Sequence, residues 1–375
     1  MRKIVKTSLA LAAVAALSLT ACSSRTADTT TPAASGSASA AAAGFAADSL
    51  VGVALPSKTS ENWVLAGDLF TQGLKDAGFK SDVQYAAASG TVADQQGQIT
   101  AMVTKGAKVI IIGAADGAQL STQVEAAQAA GAIVIAYDRL ILNTKAVDYY
   151  VAYDNFKVGQ LQGQALLDGM KAKKATGPWT IELFSGSSDD ANSAVFFNGA
   201  MDILQPAIDK GDVIVGSGQT DIKQTATAGW KAENAQSRMD SLLTSTYNGD
   251  KTLDGVLSPN DTLARAILTS VKGAGKDLPT VTGQDSEVES VKSIMAGEQY
   301  STINKDTRNL VKAAIQMATD LSTGKTPDVN DTKSYDNGVK TVPAYLLPPQ
   351  IVTKANAAES YANDEKLLAI VKAAS

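Results

Sequence analysis

Histidine is absent from this 375-residue chain, and cysteine occurs once. Without an imidazole there is no Ser-His-Asp or Cys-His mechanism and no His-containing metal site. The lone Cys22 forms no internal disulfide and supplies no multi-cysteine metal site. Aromatic residues make up only 5% of the chain, and basic residues do not dominate. The 33 Lys and Arg stand against 38 Asp and Glu, a net charge of -5, so a cationic footprint for nucleic acid is lacking and no such partner is expected. No stretch has the uninterrupted apolar length of a spanning helix. The glycines form neither a GxGxxG turn after the first strand nor a GxxxxGK[ST] loop, which removes the local warrant for nucleotide binding. EF-hand spacing is missing as well. Neither a metal nor a cofactor is expected.

What is present begins with Arg2, Lys3 and Lys6 ahead of LALAAVAALSL, an apolar run of eleven residues that is too short to cross a bilayer. This is the layout of a secretion signal. Leu19-Thr20-Ala21-Cys22 follows and resembles the lipobox of bacterial lipoproteins, in which small residues fit the protease and the cysteine thiol accepts lipid. Residues 1–21 are therefore expected to be a signal peptide and Cys22 the lipidated terminus. Residues 22–48, rich in Ser, Thr, Ala and Gly, have little to bury and read as a flexible tether.

Beyond residue 48 the hydrophobic pattern alternates. Short apolar runs at 50–55, 109–113, 132–136 and 149–153 suit buried strands, with a further strand at 81–85. Leu65, Leu69, Phe70 and Leu74 recur at helical spacing before Gly78, as do Leu120, Val124 and Ala127 before Gly131. The pattern restarts beyond 156, with strands expected at 179–184, 212–216, 254–257, 280–283 and 299–304. Helices are expected at 157–171, 191–210, 225–246, 261–274, 287–297, 308–323 and 363–373. Pro, Gly and Asn interrupt 325–350 and leave room for chain crossings. Such alternation predicts two α/β units, each a mostly parallel sheet covered by helices.

Open α/β sheets expose ligand-facing groups at the carboxyl ends of their strands. Polar groups fall there repeatedly: Asp138 and Arg139, Asp154 and Asn155, Asn260 and Asp261, then Asp285. A carboxylate accepts two hydroxyl donors, Arg presents a rigid donor fork and Asn offers both functions, so the set suits a polyol. Structural alternatives stand beside each. Asp138 and Arg139 either pair with each other or cap a segment; Asn260 and Asp285 either contact ligand or cap helices; Lys305 either donates to a hydroxyl or faces solvent. Trp63 is a candidate platform for the apolar face of a pyranose. Trp230 fits helix packing at least as well as ligand contact, and Trp179 reads as structural. Asp189 and Asp190 invite a glycosidase reading, but adjacent carboxylates do not establish opposed acid and base. The chain is not expected to be an enzyme.

The segments VALPSKTSENW, VTKGAKVIII, AYDRLI, YYVAYDNFKVG, SGSSDDANSAVFFNGAM, SPNDTLA, TGQD and STINKDTR, in this order, resemble bacterial ABC-importer sugar-binding proteins of the ribose/galactose/xylose type, nearest the xylose and multiple-monosaccharide branch. The resemblance runs from about residue 50 through the LLPP region. It implies a two-lobed, periplasmic-binding-protein-like type I clamshell: residues 49–155 with about 306–337 as the N-terminal lobe, and about 156–305 with 338–375 as the C-terminal lobe. It places Lys58 and Trp63 on the first wall, with Asp138 and Arg139 beside them. It adds Asp190, Asn192, Asn260, Asp285 and Lys305 as contacts, and Asn155 in a crossing segment. Asn62 and Ala191 depart from the pattern, where Arg and Asn are usual. The implied partners are a monosaccharide, such as xylose, glucose, galactose or arabinose, and ABC permease subunits with a separate ATPase. The implied location is the outer face of the cytoplasmic membrane, through lipid on Cys22, with the chain a monomer. A membrane-tethered sugar sensor acting through a signalling receptor is the alternative.

Overall fold

A computed structural model describes residues 44–374 apart from Thr59 and Gly90. The expected signal peptide, Cys22 and most of the tether lie outside the described residues. The tether ends earlier than residue 48. Phe45 donates its backbone N–H to the Ser322 carbonyl at 3.0 Å and its ring lies 6.4 Å from that of Phe79, so this aromatic has something to bury against after all.

The first lobe alternates β1 (Leu50–Leu55), α1 (Glu61–Asp76), β2 (Lys80–Tyr85), α2 (Thr91–Thr104), β3 (Val109–Ile112), α3 (Ser121–Ala129), β4 (Ile133–Tyr137) and β5 (Tyr149–Tyr153). The all-aliphatic strand β3 is buried along its length, as a central strand covered on both faces must be. Strands pair in parallel. One face packs against Phe70 and Leu74 of α1, the other against Ile99 and Met102 of α2 and Val124 of α3.

The chain then crosses into a second lobe, built from α4 (Asn155–Lys173), β6 (Trp179–Leu183), α5 (Ala191–Asp209), β7 (Val213–Val215), a short α6 (Ile222–Thr225), α7 (Ala232–Ser245), β8 (Gly255–Leu257), α8 (Asp261–Gly273), β9 (Thr280–Val281), α9 (Val288–Met295) and β10 (Ser301–Asn304). Its parallel sheet runs β7-β6-β8-β9. Leu166, Phe197 and Leu204 cover one face, while Met239, Leu263 and Ile267 cover the other. The single helix expected over 225–246 is interrupted: Gly229 and Trp230 both take positive φ, 64° and 56°, and α7 starts only at Ala232.

The chain returns as α10 (Thr307–Ser322), whose Leu310, Val311 and Ala314 pack on the first lobe, and as β11 (Ala344–Leu347), which pairs in parallel with β5. The first sheet is thus six-stranded, in the order β11-β5-β4-β3-β1-β2. This corrects the expected placement of all of 338–375 in the C-terminal lobe. The last crossing falls between β11 and β12 (Gln350–Thr353), which pairs antiparallel with β10. Short α11 (Ala357–Ser360) and α12 (Glu365–Ala373) then pack with α9. Among the described residues, no helix is long and apolar enough to cross a membrane.

Candidate functional site

In each lobe the strand order reverses beside the first strand, between β1 and β3 and between β6 and β8. Crevices open at the carboxyl ends of strands at such points. Here the two crevices share one cleft of about 950 Å³. Its wall includes Trp63, Asp138 and Arg139 from the first lobe, and Asp190, Asn192, Asn260, Asp285 and Lys305 from segments of the second. Eight of the expected binding residues therefore come together.

Trp63 lies in the first turn of α1 with its ring edge against Tyr137, centroids 6.2 Å apart. A Cβ at residue 113 would stand 2.9 Å from its ring, so Gly113 lets the indole settle against the end of β3. Arg139 lies 5.4 Å over the same ring and donates from Nη1 to the Ala114 carbonyl at 3.2 Å. Asp138 adopts φ 62°, in the left-handed region, which turns the chain sharply at the end of β4. Its carbonyl accepts from the Tyr150 hydroxyl and from Asn192 Nδ2, both at 2.7 Å.

From the second lobe, Asp190 does two things at once. One carboxylate oxygen accepts from Asn192 N at 2.9 Å and caps α5, while the other sits 3.0 Å from Arg139 Nε. Arg139 thus pairs with Asp190, across the lobes, and not with its neighbour Asp138. Asn260 likewise caps α8 through Leu263 N at 2.9 Å and still lines the cleft. Asp285 is not the cap of α9, a position that Glu287 occupies; it pairs with Lys305 at 3.0 Å.

The charges influence one another. Burial raises the Asp138 carboxyl above the ordinary range, and Asp190 and Asp285 add to the rise, while Lys305 and Arg139 oppose it. Burial works against the Lys305 ammonium, yet Asp285, Asp138 and Asp190 hold its pKa above that of an ordinary lysine. Among the described residues no cluster of acidic, His or Cys side chains is arranged to hold a metal.

Two expected residues are not on the wall. Lys58 is exposed and its ammonium lies 4.5 Å over the Tyr85 ring, drawn to an aromatic face outside the cleft lining. Asn155, 2% exposed, sits beneath the wall, donating to the Tyr150 hydroxyl at 3.3 Å. It supports the Tyr150–Asn192–Asp138 junction from behind. Conversely, Gln284 lines the cleft and was not expected there, and Trp230, left open between ligand contact and helix packing, lines it too. Trp230 packs over Gly186, where any Cβ would strike the indole. The one signal for it in the sequence is the Ala228-Gly229-Trp230 step within an otherwise helical pattern.

Three polar atoms of wall residues are buried and have no hydrogen-bond partner among the described residues: Arg139 Nε, Trp230 Nε1 and Gln284 Oε1. These atoms have almost no exposed surface, so they lie within the wall and not on its cleft-facing side.

Comparison with known proteins shows the family. The family described as periplasmic binding protein domain matches residues 51–326. The multiple sugar-binding periplasmic receptor ChvE of Rhizobium radiobacter is 51% identical over 318 residues, 83% of this chain and 89% of that protein. The D-xylose-binding periplasmic protein of Escherichia coli (strain K12) is 32% identical, covering 86% of this chain and 92% of its own. Among solved structures, an ABC transporter solute-binding protein from Clostridium phytofermentans with bound β-D-glucose superposes with a TM-score of 0.81 at 39% identity, over 85% of this chain and 99% of that one.

Proposed function

The chain belongs to the periplasmic binding protein family, and from that premise we propose that it is the extracytoplasmic solute-binding component of an ABC importer, capturing one monosaccharide between its lobes and delivering it to a permease. The observation that carries this reading is the convergence on one cleft of Asp138, Arg139, Asp190, Asn192, Asn260, Asp285 and Lys305 with two tryptophans, Trp63 from the first lobe and Trp230 from the second. A pyranose has both a hydroxylated rim and a less polar face. Carboxylates of Asp138, Asp190 and Asp285 accept hydroxyl donors, while Arg139, Asn192, Asn260 and Lys305 donate. The indoles cover the apolar faces. Relatives named for D-xylose and for D-galactose, and a structure with β-D-glucose, make xylose, glucose and galactose the first sugars to try, with arabinose added from the sequence resemblance.

The mechanism is reversible capture without turnover. Sugar enters the open cleft, and contacts that need both lobes, such as those around Arg139, Asp190 and Asn192, form together as the lobes approach. Sugar favours the closed population to the extent that it binds that state more tightly. The permease recognises the closed form, and ATP is hydrolysed by a separate ATPase subunit, so no cofactor is needed here. Lipid on Cys22 holds the chain, as a monomer, at the outer face of the cytoplasmic membrane and raises its concentration beside the permease.

Calorimetric titration of the protein with the four sugars tests the reading. Saturable, one-to-one heat with at least one of them is the expected result, and no binding to any would end it. The word receptor in the name of the 51% identical relative favours a second reading, a tethered sugar sensor with the same pocket. Sugar-dependent docking to a signalling receptor, with none to a permease, would select it.

A further inference from the structure

Behind the cleft wall lies a carboxylate that the reading above does not use. Asp261, the first residue of α8, has no exposed surface. It is not the cap of that helix, since Asn260 fills the position. Its own carboxyl is costly to keep there: burial, then Glu287 and Asp285, push its pKa well above the carboxylate range.

Three of its contacts converge on one turn, residues 284–287. The Asp261 backbone N–H donates to the Gln284 carbonyl at 3.0 Å, at the start of the turn. Its Oδ2 accepts from the Glu287 N–H at 3.0 Å, at the end. The same oxygen accepts from Thr302 Oγ1 at 2.9 Å, and Thr302 Oγ1 in turn accepts from Ser286 N at 3.2 Å, in the middle. Gln299 Nε2 donates to Oδ1 at 2.8 Å. Gly283 leaves room for this arrangement, because a Cβ there would strike the Asp261 carboxylate.

The turn needs such a hold. Asp285 has φ 97° and Ser286 has φ 55°, two consecutive non-glycine residues in the left-handed region. Backbone of this kind persists only where its surroundings over-determine it, and it concentrates at ligand sites. Its product is an Asp285 carboxylate 3.0 Å from Lys305 on the cleft wall.

We infer that Asp261 is a positioning residue for the cleft: without touching ligand, it holds the strained 284–287 turn in the form that presents Asp285 to Lys305 and to the sugar. The inference rests on the sugar-binding reading above.

Titrating the full chain with the sugar it binds tests the inference, using Asp261→Ala, Thr302→Val and Asp285→Asn, alone and with each of the first two combined with the third. Asp261→Ala is expected to weaken binding about tenfold and Thr302→Val about threefold, while in the Asp285→Asn background each costs less than about twofold, since residues that act through one group are not additive. A merely structural Asp261 would give penalties that add. Circular dichroism establishes which variants are folded, and if Asp261→Ala is not, the Thr302→Val cycle decides. Wild-type affinity in the folded single variants, or full penalties that survive Asp285→Asn, would overturn the inference. Failure of the wild type to bind any sugar would instead overturn the proposed function on which it rests.

Discussion

Arg139 Nε lies 3.0 Å from Asp190 Oδ2, so an ion pair joins the second residue after β4 of the first lobe to the cap of a helix in the second. The Nε–H is not aligned on that oxygen and makes no hydrogen bond among the described residues. The pair brings the lobes together at the cleft wall.

Replacing Arg139 should therefore damage binding. Hydrogen bonds to a charged group contribute about 1.5–3 kcal/mol, so Arg139→Ala is expected to weaken sugar affinity about tenfold or more. Arg139→Lys should not restore it, because a single ammonium cannot reach the Ala114 carbonyl, Asp190 and a ligand as a fork does. Calorimetry gives the affinities, and wild-type binding by either variant would remove Arg139 from the site.

The chain has three tryptophans, and two line the cleft. The third, Trp179, stands at the start of β6 with Nε1 donating to the Lys174 carbonyl at 3.0 Å. Sugar binding should thus change intrinsic fluorescence in Trp179→Phe as in the wild type, and the change should disappear in Trp63→Phe/Trp230→Phe. Trp63→Ala is expected to cost about 1–2 kcal/mol of binding, the scale of an aromatic packing contact. A fluorescence response that follows Trp179 alone would contradict the assignment of both cleft indoles.

Legibility in the sequence tracked how local the cause of each feature is. Strand β3 was plain because four consecutive aliphatics are buried on both faces. The polar strand ends were plain too, since a strand's end is a local property and the fold brings those ends together. Strands β11 and β12 were not, because each is four residues long, flanks Pro348-Pro349 and owes its conformation to partners far away in sequence. Two residues that the resemblance placed at the site stand off the wall. Lys58 stands near Trp63 and Asn155 follows Asp154, yet Lys58 turns to Tyr85 and Asn155 points beneath the wall. Trp230 stayed open between packing and ligand contact because a helical pattern surrounds it, while Gly229 permits the left-handed break that moves it to the cleft.

Gly186 offers a sharper test of Trp230 than deletion of the indole. A Cβ at 186 would collide with the Trp230 ring and with Ser193 Oγ. Overpacking of this kind costs about 1–3 kcal/mol. Gly186→Ala is expected to lower the melting temperature and weaken sugar binding together. Adding Trp230→Phe, with its smaller ring, should recover most of the melting temperature and little of the affinity. If the double variant regained both, the indole would have no part in recognition.

Asp261 also predicts how stability responds to pH. Burial, together with Glu287 and Asp285, raises its carboxyl well above the ordinary carboxylate range. The folded state therefore holds this proton more tightly than the unfolded chain. Its stabilising effect is fully present below the unfolded pKa and is lost as pH rises toward the folded one, at a slope of up to about 1.4 kcal/mol per pH unit. Glu287, raised by burial and by Asp285 but restrained by Arg265, and Asp138 carry the same sign. Asp261→Asn replaces the carboxyl by a group that does not titrate. Between about pH 4 and 7 its unfolding free energy, measured in urea at each pH, should fall less steeply than that of the wild type. The wild-type slope should become shallower without vanishing, since Glu287 and Asp138 remain. Identical slopes would mean that Asp261 keeps an ordinary carboxylate pKa despite its burial.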